Sequence, residues 1–373
     1  MIITLAFAGG FQKIISEKIF SFFGHLRVID YNTLDFSLAE EYPIAKNDSV
    51  LSLGKLHPEI SLVQAFATKN ALLRTPDNIE GVLFKGVEPD HDFSHLQKFL
   101  LKGRWPRFPD SGYSQEIVLS ESLANTLKLT VGDAVIVFFI QSSGQAPRPR
   151  KVQITGLYKT GIEEYDKLFV LGDLRLIRRL NNWNDDQIGG YEIFLRDPTS
   201  LEAVSRAIVP QLPWGLHALT IKEIIPSLFE WLTLQNKTTY IVLLIMIVIA
   251  VLNMVVCLLV LVLERTRMIG LLTSLGSSKG LLRKIFLVQG IILAGFGIAG
   301  GTLLGLLVCW LQARYGFIKL PEDSYYISQA AVFLEWWQVL GVIVGTLAIN
   351  FMILLLPTLL VRKVSAIKAL QFR

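Results

Sequence analysis

The sequence predicts an integral membrane protein in which an α-helical transmembrane part carries a large α+β domain outside the cytoplasm. Three observations predict this fold class. Of the 373 residues, 52% are hydrophobic and only 18% are charged, and the mean hydropathy is +0.48, which would be unusual for a soluble globular protein. Charged residues are absent from three long stretches, 238–263, 285–313 and 336–361. The chain before residue 238 has ordinary polarity and alternates between strand-like and helix-like patterns.

The three charge-free stretches are each long enough to cross a bilayer. A transmembrane helix needs roughly 20 apolar residues, whereas an apolar run of about 10–14 fits a buried soluble helix. We therefore predict transmembrane helices at 238–263, 285–313 and 336–361. The first continues an amphipathic stalk that begins near Pro226, a residue suited to the first turn of a helix.

The charges between these stretches predict the orientation. Residues 264–284 and the tail 362–373 are strongly basic, whereas residues 314–335 carry a small negative net charge. Short basic loops remain in the cytoplasm. We therefore expect residues 264–284 and the tail inside, and residues 314–335 and the large domain outside. The overall charge of +5 then reflects topology, and nucleic-acid binding is not implied.

The first residues of the chain are apolar for less than half a span. Gly9 and Gly10 end this run, and charged residues follow. The segment lacks the basic start and the small-residue cleavage site of a signal peptide. We expect residues 1–20 to be the outer end of a first transmembrane helix whose cytoplasmic half precedes Met1.

The outside domain, residues 21–225, mixes strand and helix patterns in an order typical of an α+β fold. The predicted strands are 25–31, 63–67, 81–87, 116–119, 134–140, 152–158, 168–171 and 190–195, and the predicted helices are 121–127, 174–181 and 200–209. Residues 141–151 connect two of these strands and are rich in proline and basic residues. Since proline opposes regular strand pairing, we predict a projecting hairpin loop there. The loop is either simply solvated or a docking site for an acidic or hydrophobic partner, and its candidate docking residues are Gln145, Pro147, Arg148, Pro149 and Arg150.

Catalytic chemistry is not visible in the sequence. Cys257 and Cys309 both fall in predicted spans, and His91 and His95 lie beside acidic residues without the surroundings of a metal motif. The sequence has no P-loop and no HExxH motif. We therefore expect no catalytic, metal or cofactor site, and no ATPase activity in this chain.

Glycines at a spacing of four residues mark the last two spans. Such small residues let helices approach closely in lipid. We expect tight packing between these two spans, or against a second protomer, through Gly297, Gly301, Gly305, Gly341 and Gly345.

The segment after the first full span carries the most specific motif. Met268, Leu271, Leu272 and Leu275 form an apolar stripe at helical spacing, which predicts a short amphipathic helix ended by Gly276. The run 264–278 closely resembles the ERTxxIGxLxxLGxS signature of FtsX-like (MacB-type) ABC transporter permeases. In that family the segment is the coupling helix that docks on a partner ATPase. The resemblance makes the candidate coupling residues Glu264, Arg265, Thr266, Arg267, Ile269, Gly270, Leu272, Leu275 and Gly276.

Other segments resemble the lipoprotein-releasing (LolC/LolE) branch of the family. They are residues 9–12, 164–166, 320–329 and 366–370. The resemblance implies a four-helix membrane plan, with the first helix truncated here, and a MacB-like periplasmic core domain. It also implies an inner-membrane location, a homo- or heterodimer with a second permease protomer, and a cytoplasmic ABC ATPase that binds ATP and Mg. Lipoprotein cargo, membrane lipids and a periplasmic lipoprotein carrier complete the implied partners.

The expected function is therefore that of a permease subunit whose partner ATPase drives release of lipoproteins from the inner membrane toward a periplasmic carrier. An alternative keeps the fold but changes the role, to peptide or drug export or to activation of a periplasmic hydrolase. A membrane-anchored sensor or adaptor without an ATPase is a further alternative.

Overall fold

The computed structural model describes residues 1–32, 42–141, 145–265, 268, 271–272 and 274–360. The chain forms two compact units. The sheet unit contains Ile15–Glu230 and Pro321–Ser328, and the helical unit contains Met1–Ile14, Trp231–Leu320 and the chain from Gln329 onward. The chain therefore passes between the units four times, twice inside a helix.

The helices of the described residues are α1 (Ile2–Phe23), α2 (Asp48–Leu56), α3 (Glu121–Leu127), α4 (Glu163–Asp166), α5 (Leu174–Asn181), α6 (Leu201–Ile208), α7 (Ile221–Ile224), α8 (Pro226–Glu264), α9 (Lys279–Tyr315), α10 (Glu322–Tyr325) and α11 (Trp336–Leu360). The strands are β1 (Leu26–Asp30), β2 (Ile44–Ala45), β3 (Ile60–Arg74), β4 (Ile79–Val87), β5 (Leu100–Gly103), β6 (Glu116–Ser120), β7 (Ala134–Phe139), β8 (Arg148–Tyr158), β9 (Phe169–Asp173), β10 (Gln187–Ile188), β11 (Gly190–Leu195) and β12 (Leu216–Thr220).

The sheet unit is built on one ten-stranded mixed sheet. Its order is β12-β1-β11-β3-β4-β9-β6-β8-β5, and β7 pairs with both β3 and β8. Most neighbours are antiparallel, but β4 pairs with β9 and β6 with β8 in parallel. The fifteen-residue strand β3 is long enough to pair with β11, β4 and β7. The unit is thus α+β, as the sequence predicts.

Helix α5 illustrates how local sequence signals position an element on this sheet. Asp173 caps its first turn by accepting the Arg175 backbone N–H at 2.8 Å, and Asn182 ends it in the left-handed conformation. Leu174 and Ile177 are buried against the sheet. A Cβ on Gly86 of β4 would lie only 2.7 Å from the Cα of Leu174, so the missing side chain lets α5 pack directly on the strand.

The helical unit contains the apolar helices. Among the described residues, three helical segments are long and apolar enough to cross a membrane: Pro226–Cys257, Leu287–Tyr315 and Trp336–Ile353. They overlap the three predicted spans, and α8 is one uninterrupted helix of 39 residues, as predicted for the stalk and its span.

Helix α1 covers residues 1–20, where the outer end of a first helix is expected, apart from Met1, and extends three residues further. The apolar run ends at Gly9 and Gly10, but the helix continues to Phe23. At the glycines the helix approaches another backbone segment closely, because a Cβ on Gly10 would overlap the backbone carbonyl of Ala331. Phe333 also donates its backbone N–H to the Ala6 carbonyl, N–O 3.0 Å. A helix packed this closely on another backbone segment has no room for side chains at the contact.

Candidate functional site

The predicted coupling segment begins where α8 ends, at Glu264, and leads to α9 at Lys279. Thr266, Arg267, Ile269 and Gly270 lie outside the described residues. Met268, Leu271, Leu272 and Ser274 have helical backbone. The segment therefore contains a helical stretch between two membrane-length helices.

This helical stretch ends at Gly276, where the sequence predicts it. Gly276 has a φ of +89°, the left-handed region that favours glycine. The backbone N–H of Ser277 donates to the Leu272 carbonyl at 3.0 Å, and that of Leu275 to the Leu271 carbonyl at 3.1 Å. Ser278 then caps α9, since its hydroxyl accepts the Leu281 N–H. The turn is thus defined by the backbone at Gly276 on one side and by the Ser278 hydroxyl cap on the other.

Apolar side chains of this segment face solvent. Leu271 is 56% exposed and Leu275 is 76% exposed. Arg265 and Glu264 are also exposed at the end of α8. Exposed leucines beside charged residues have the chemistry of a docking helix, in which the leucines enter an apolar groove and the charges fix the register.

The hairpin between β7 and β8 is shorter than predicted. Arg148 pairs with Phe139 and Pro149 with Phe138, so Arg148, Pro149 and Arg150 are strand residues and not part of a projecting loop. The prediction was wrong because this part of β8 lies at an edge of the sheet. At Pro149 the strand pairs with β7 on one side only, since β6 and β5 pair with β8 only from Gln153 onward. At such an edge position the missing N–H of proline disrupts no pairing.

The predicted docking residues of this hairpin consequently separate into two groups. Gln145 and Pro147 lie in the connecting turn, whose residues 142–144 are outside the described ranges. The Arg148 guanidinium instead donates to the Leu180 carbonyl at the end of α5, at 2.9 Å. Arg148 is therefore held by the sheet unit.

The glycines of the last two spans do not pack α9 against α11 within this chain. A Cβ built on Gly297, Gly301, Gly341 or Gly345 would meet no described heavy atom within 4 Å. A Cβ on Gly305 would meet Ile2 of α1 at 3.5 Å. Helices α9 and α11 do pack on each other, but among the described residues not through a close approach at these four glycines. Packing against a second protomer remains a proposal.

Three of these glycines line an open cavity of about 640 Å³ in the helical unit. The cavity lies among α1, α8, α9 and α11, and its wall includes Gly297, Gly301 and Gly305. The polar groups in the wall include the amides of Asn253 and Asn350. The cavity is mainly apolar and is large enough for a hydrocarbon chain.

A buried charge cluster in the sheet unit had no signal in the sequence. Glu192 of β11, 1% exposed, accepts hydrogen bonds from Arg27 at 2.7 Å and from Lys85 at 2.8 Å. Lys85 also donates to the Phe22 carbonyl in the last turn of α1, at 2.7 Å. Burial would raise the pKa of Glu192, but the charges of Lys85 and Arg27 outweigh it and lower this pKa. The cluster therefore fastens the end of α1 to the sheet.

Two buried histidines of the sheet unit have lowered pKa values. Burial, with some repulsion from His95, lowers the pKa of His25 to about 4. Burial similarly lowers the pKa of His91 to about 4. Among the described residues, no group of three or more His, Cys, Asp or Glu side chains could hold a metal ion.

Comparisons with known proteins also divide the chain into an N-terminal and a C-terminal part. Residues 1–211 match the family model of the MacB-like periplasmic core domain, and residues 240–366 match that of the FtsX-like permease C-terminal region. The chain is similar to the lipoprotein-releasing system transmembrane protein LolC of Xylella fastidiosa (strain 9a5c), with 24% identity over 100% of this chain and 90% of that protein.

A second relative covers most of the chain, and a solved structure covers about half of it. The lipoprotein-releasing system transmembrane protein LolE of Haemophilus influenzae is 23% identical over 96% of this chain and 87% of that protein. The periplasmic region of MacB from Actinobacillus actinomycetemcomitans, a solved structure, covers 54% of this chain and 91% of its own at 12% identity, with a TM-score of 0.37. Since the periplasmic-core match alone spans more than half of the residues, the protein belongs to the MacB-type family of transporter permease subunits, with a MacB-like periplasmic core domain and an FtsX-like permease C-terminal region.

Proposed function

We propose that this chain is the permease subunit of an ABC transporter that releases lipoproteins from the inner membrane toward a periplasmic carrier. The observation that carries the proposal is the similarity to LolC, which extends over the whole chain and 90% of the relative. In this proposal the protein crosses the inner membrane several times, with the sheet unit in the periplasm. It pairs with a second permease protomer, identical or related.

The energy source in this proposal is ATP hydrolysis by a cytoplasmic partner. Withdrawing lipid from a bilayer costs on the order of 0.8 kcal/mol per buried CH₂, so an anchor with several acyl chains needs an energy supply. ATP and Mg would be bound by the partner, and this chain would transmit movement. The exposed Leu271 and Leu275 support a docking contact at the coupling segment.

Depletion of the protein in its native cell tests the cargo. We expect lipoproteins destined for the outer membrane to accumulate in the inner membrane, as measured by fractionation and immunoblotting. Re-expression of the wild-type chain should restore sorting. Normal lipoprotein sorting after complete depletion would contradict the proposal.

The coupling segment is tested by placing a charge on its apolar surface. Leu275→Glu should abolish co-purification of the ATPase, because a carboxylate would be buried in the docking groove. Ser274→Glu is the control. It adds the same charge one residue away and should be tolerated better. Equal ATPase recovery with both variants would argue against docking at the apolar surface.

The hairpin turn is proposed as the contact for a periplasmic carrier. Only Gln145 and Pro147 of the predicted docking residues remain in the turn, so the contact would be small. A photo-crosslinking residue at Gln145 should capture a soluble periplasmic protein during export, whereas one at Thr130, in an exposed turn before β7, should not. Equal capture at both positions would exclude a specific contact.

The alternative role, export of another cargo or activation of a periplasmic hydrolase, keeps the same fold. The family membership alone supports it equally well, because it identifies the permease without its cargo. Depletion that alters drug tolerance or cell-wall cleavage while lipoprotein sorting stays normal would favour this alternative.

A further inference from the structure

The connector between α9 and α11, residues 316–335, changes unit along its length. Its middle part, Pro321–Ser328, belongs to the sheet unit, although the sequence predicts only a loop outside the membrane there. This part contains the short helix α10, which ends at Tyr326 in the left-handed conformation with a φ of 58°. Ile327 is buried. The connector is therefore a fixed part of the sheet unit at this point.

Two lysines of the sheet unit hold the connector. The Lys18 ammonium of α1 donates to the Tyr326 carbonyl, N–O 2.6 Å. Lys159, which follows β8, forms an ion pair with Glu322 of α10, N–O 2.8 Å. The hydrogen bond to Glu322 raises the pKa of Lys159, so this lysine stays charged at neutral pH.

The turn between β8 and α4 shapes the space that these groups occupy. The buried Asp166 carboxylate accepts the backbone N–H groups of Thr160 and Gly161, each at 3.0 Å. Gly161 adopts a φ of +75°, and a Cβ there would lie 2.5 Å from the Lys18 nitrogen and 2.6 Å from a Glu322 carboxylate oxygen. Glycine at this position leaves room for both charged groups.

The same helix also contacts the connector inside the helical unit. The Phe333 N–H donates to the Ala6 carbonyl, and the Lys13 ammonium lies 3.7 Å from the centre of the Phe333 ring. At Gly10 the helix backbone approaches Ala331 too closely for any side chain. Helix α1 is thus bonded to the connector in both units.

We propose that Lys18 and the Lys159–Glu322 pair are positioning residues of a second coupling route, which carries movement of α9 and α11 through the connector to α1 and the sheet unit. This inference rests on the proposed function as an ABC permease, in which the uninterrupted helix α8 would be the first route from the coupling segment to the sheet unit. An unfastened loop would absorb displacement by bending. A loop tied by an ammonium–carbonyl bond and an ion pair transmits it, because charge-assisted hydrogen bonds are short and directional.

The test uses the complete complex with its ATPase, reconstituted in vesicles with a triacylated lipoprotein as probe. For Lys18→Met and Glu322→Gln we expect ATP hydrolysis within twofold of the wild type, but at least fivefold less lipoprotein released per ATP. Lys167→Met is the matched control, since it removes an exposed ion pair with Glu163 on the neighbouring α4 and should change neither quantity. Release per ATP that is unchanged in a Lys18→Met/Glu322→Gln double variant would overturn the inference, as would a parallel loss of hydrolysis and release.

A charge-conserving variant separates this role from simple misfolding. Glu322→Ala should lose release, whereas Glu322→Asp, which keeps a carboxylate beside both Lys18 and Lys159, should retain at least half of it. Equal losses in the two variants, both correctly assembled, would count against the pair.

A second measurement does not depend on the cargo. In the wild-type complex, ATP with vanadate should change the hydrogen-exchange rate of residues 160–166 at least threefold, and the Lys18→Met/Glu322→Gln variant should lose this response. An equal response in the two proteins would overturn the inference. If the wild-type complex responds but releases no lipoprotein, the proposed cargo is wrong while the coupling route stands.

Discussion

His25 lies in an apolar part of the sheet unit, stacked on Phe20 with ring centroids 4.3 Å apart. Its Nδ1 accepts the backbone N–H of Leu195 at 3.1 Å, which requires the neutral ring. Since the folded-state pKa of about 4 lies below the unfolded value of 6.5, the neutral form stabilises the fold. That contribution is complete above pH 6.5 and is lost as the pH falls toward 4.

We therefore expect acid destabilisation to which His25 contributes a measurable part. Full loss corresponds to about 3 kcal/mol, from 1.36 kcal/mol per pKa unit. The melting temperature of the purified protein should fall between pH 7.5 and pH 5, and by less in His25→Gln. Identical falls for the wild type and the variant would show that His25 does not control this dependence.

Glu192 is the second residue whose replacement has a predictable cost. Glu192→Ala leaves Arg27 and Lys85 buried without their counter-charge, which typically costs about 3–5 kcal/mol. Urea unfolding of the protein should show this loss. Glu202→Ala removes an exposed ion pair with Lys222 and should change the free energy of unfolding by less than about 1 kcal/mol. Comparable losses for both variants would contradict the importance of burial.

The sequence could not have predicted this cluster. Glu192 is 165 residues from Arg27 and 107 from Lys85, so no local spacing relates them. In the sequence each reads as an ordinary polar residue of a strand. Their burial follows only from strand order, which places β11 between β1 and β3. The same limitation applies to Lys18 and Tyr326, which are 308 residues apart.

At the scale of elements, prediction succeeded where the signals were local. Helices α3 and α5 occupy the predicted residues because capping residues and apolar periodicity lie within the helices themselves. The strands β2, β5, β10 and β12 were missed, since they are short and depend on their neighbours. The start of β8 was missed because proline lacks the backbone N–H that a strand inside a sheet needs for pairing, whereas an edge strand tolerates this loss.

The close approach of α1 to the connector predicts how a small substitution in α1 changes the stability of the protein. Gly10→Ala should destabilise the protein by about 1–3 kcal/mol, because the new methyl group must displace the backbone at Ala331. Gly295→Ala is the matched control, since its Cβ would meet nothing within 4 Å among the described residues. Thermal unfolding in detergent measures both. A larger effect at Gly295 than at Gly10 would contradict the packing described for α1.

At the scale of the whole molecule, the sequence predicted the division between an apolar helical part and an α+β domain. The charge-free stretches carried that prediction, since lipid exposure excludes charges irrespective of the fold. The assignment of Pro321–Ser328 to the sheet unit could not be predicted, because a short polar segment between two spans has the same composition whether it is packed or free.

The orientation predicted from loop charge can be tested on the intact cell envelope. In a background with Cys257→Ala and Cys309→Ala, a membrane-impermeant maleimide applied to spheroplasts should label Trp214→Cys, since Trp214 is fully exposed in the turn before β12. It should label Leu275→Cys only after the membrane is opened. Labelling of Leu275→Cys in intact spheroplasts would reverse the predicted topology.

The unbroken length of α8 has a mechanical consequence. Thirty-nine residues at 1.5 Å each make a rod of about 58 Å, nearly twice the thickness of the bilayer hydrocarbon core. A rotation of such a rod by about 10° about its midpoint displaces each end by about 5 Å. A small rotation of this helix would thus displace its two ends in opposite directions, each by about the rise of one helical turn.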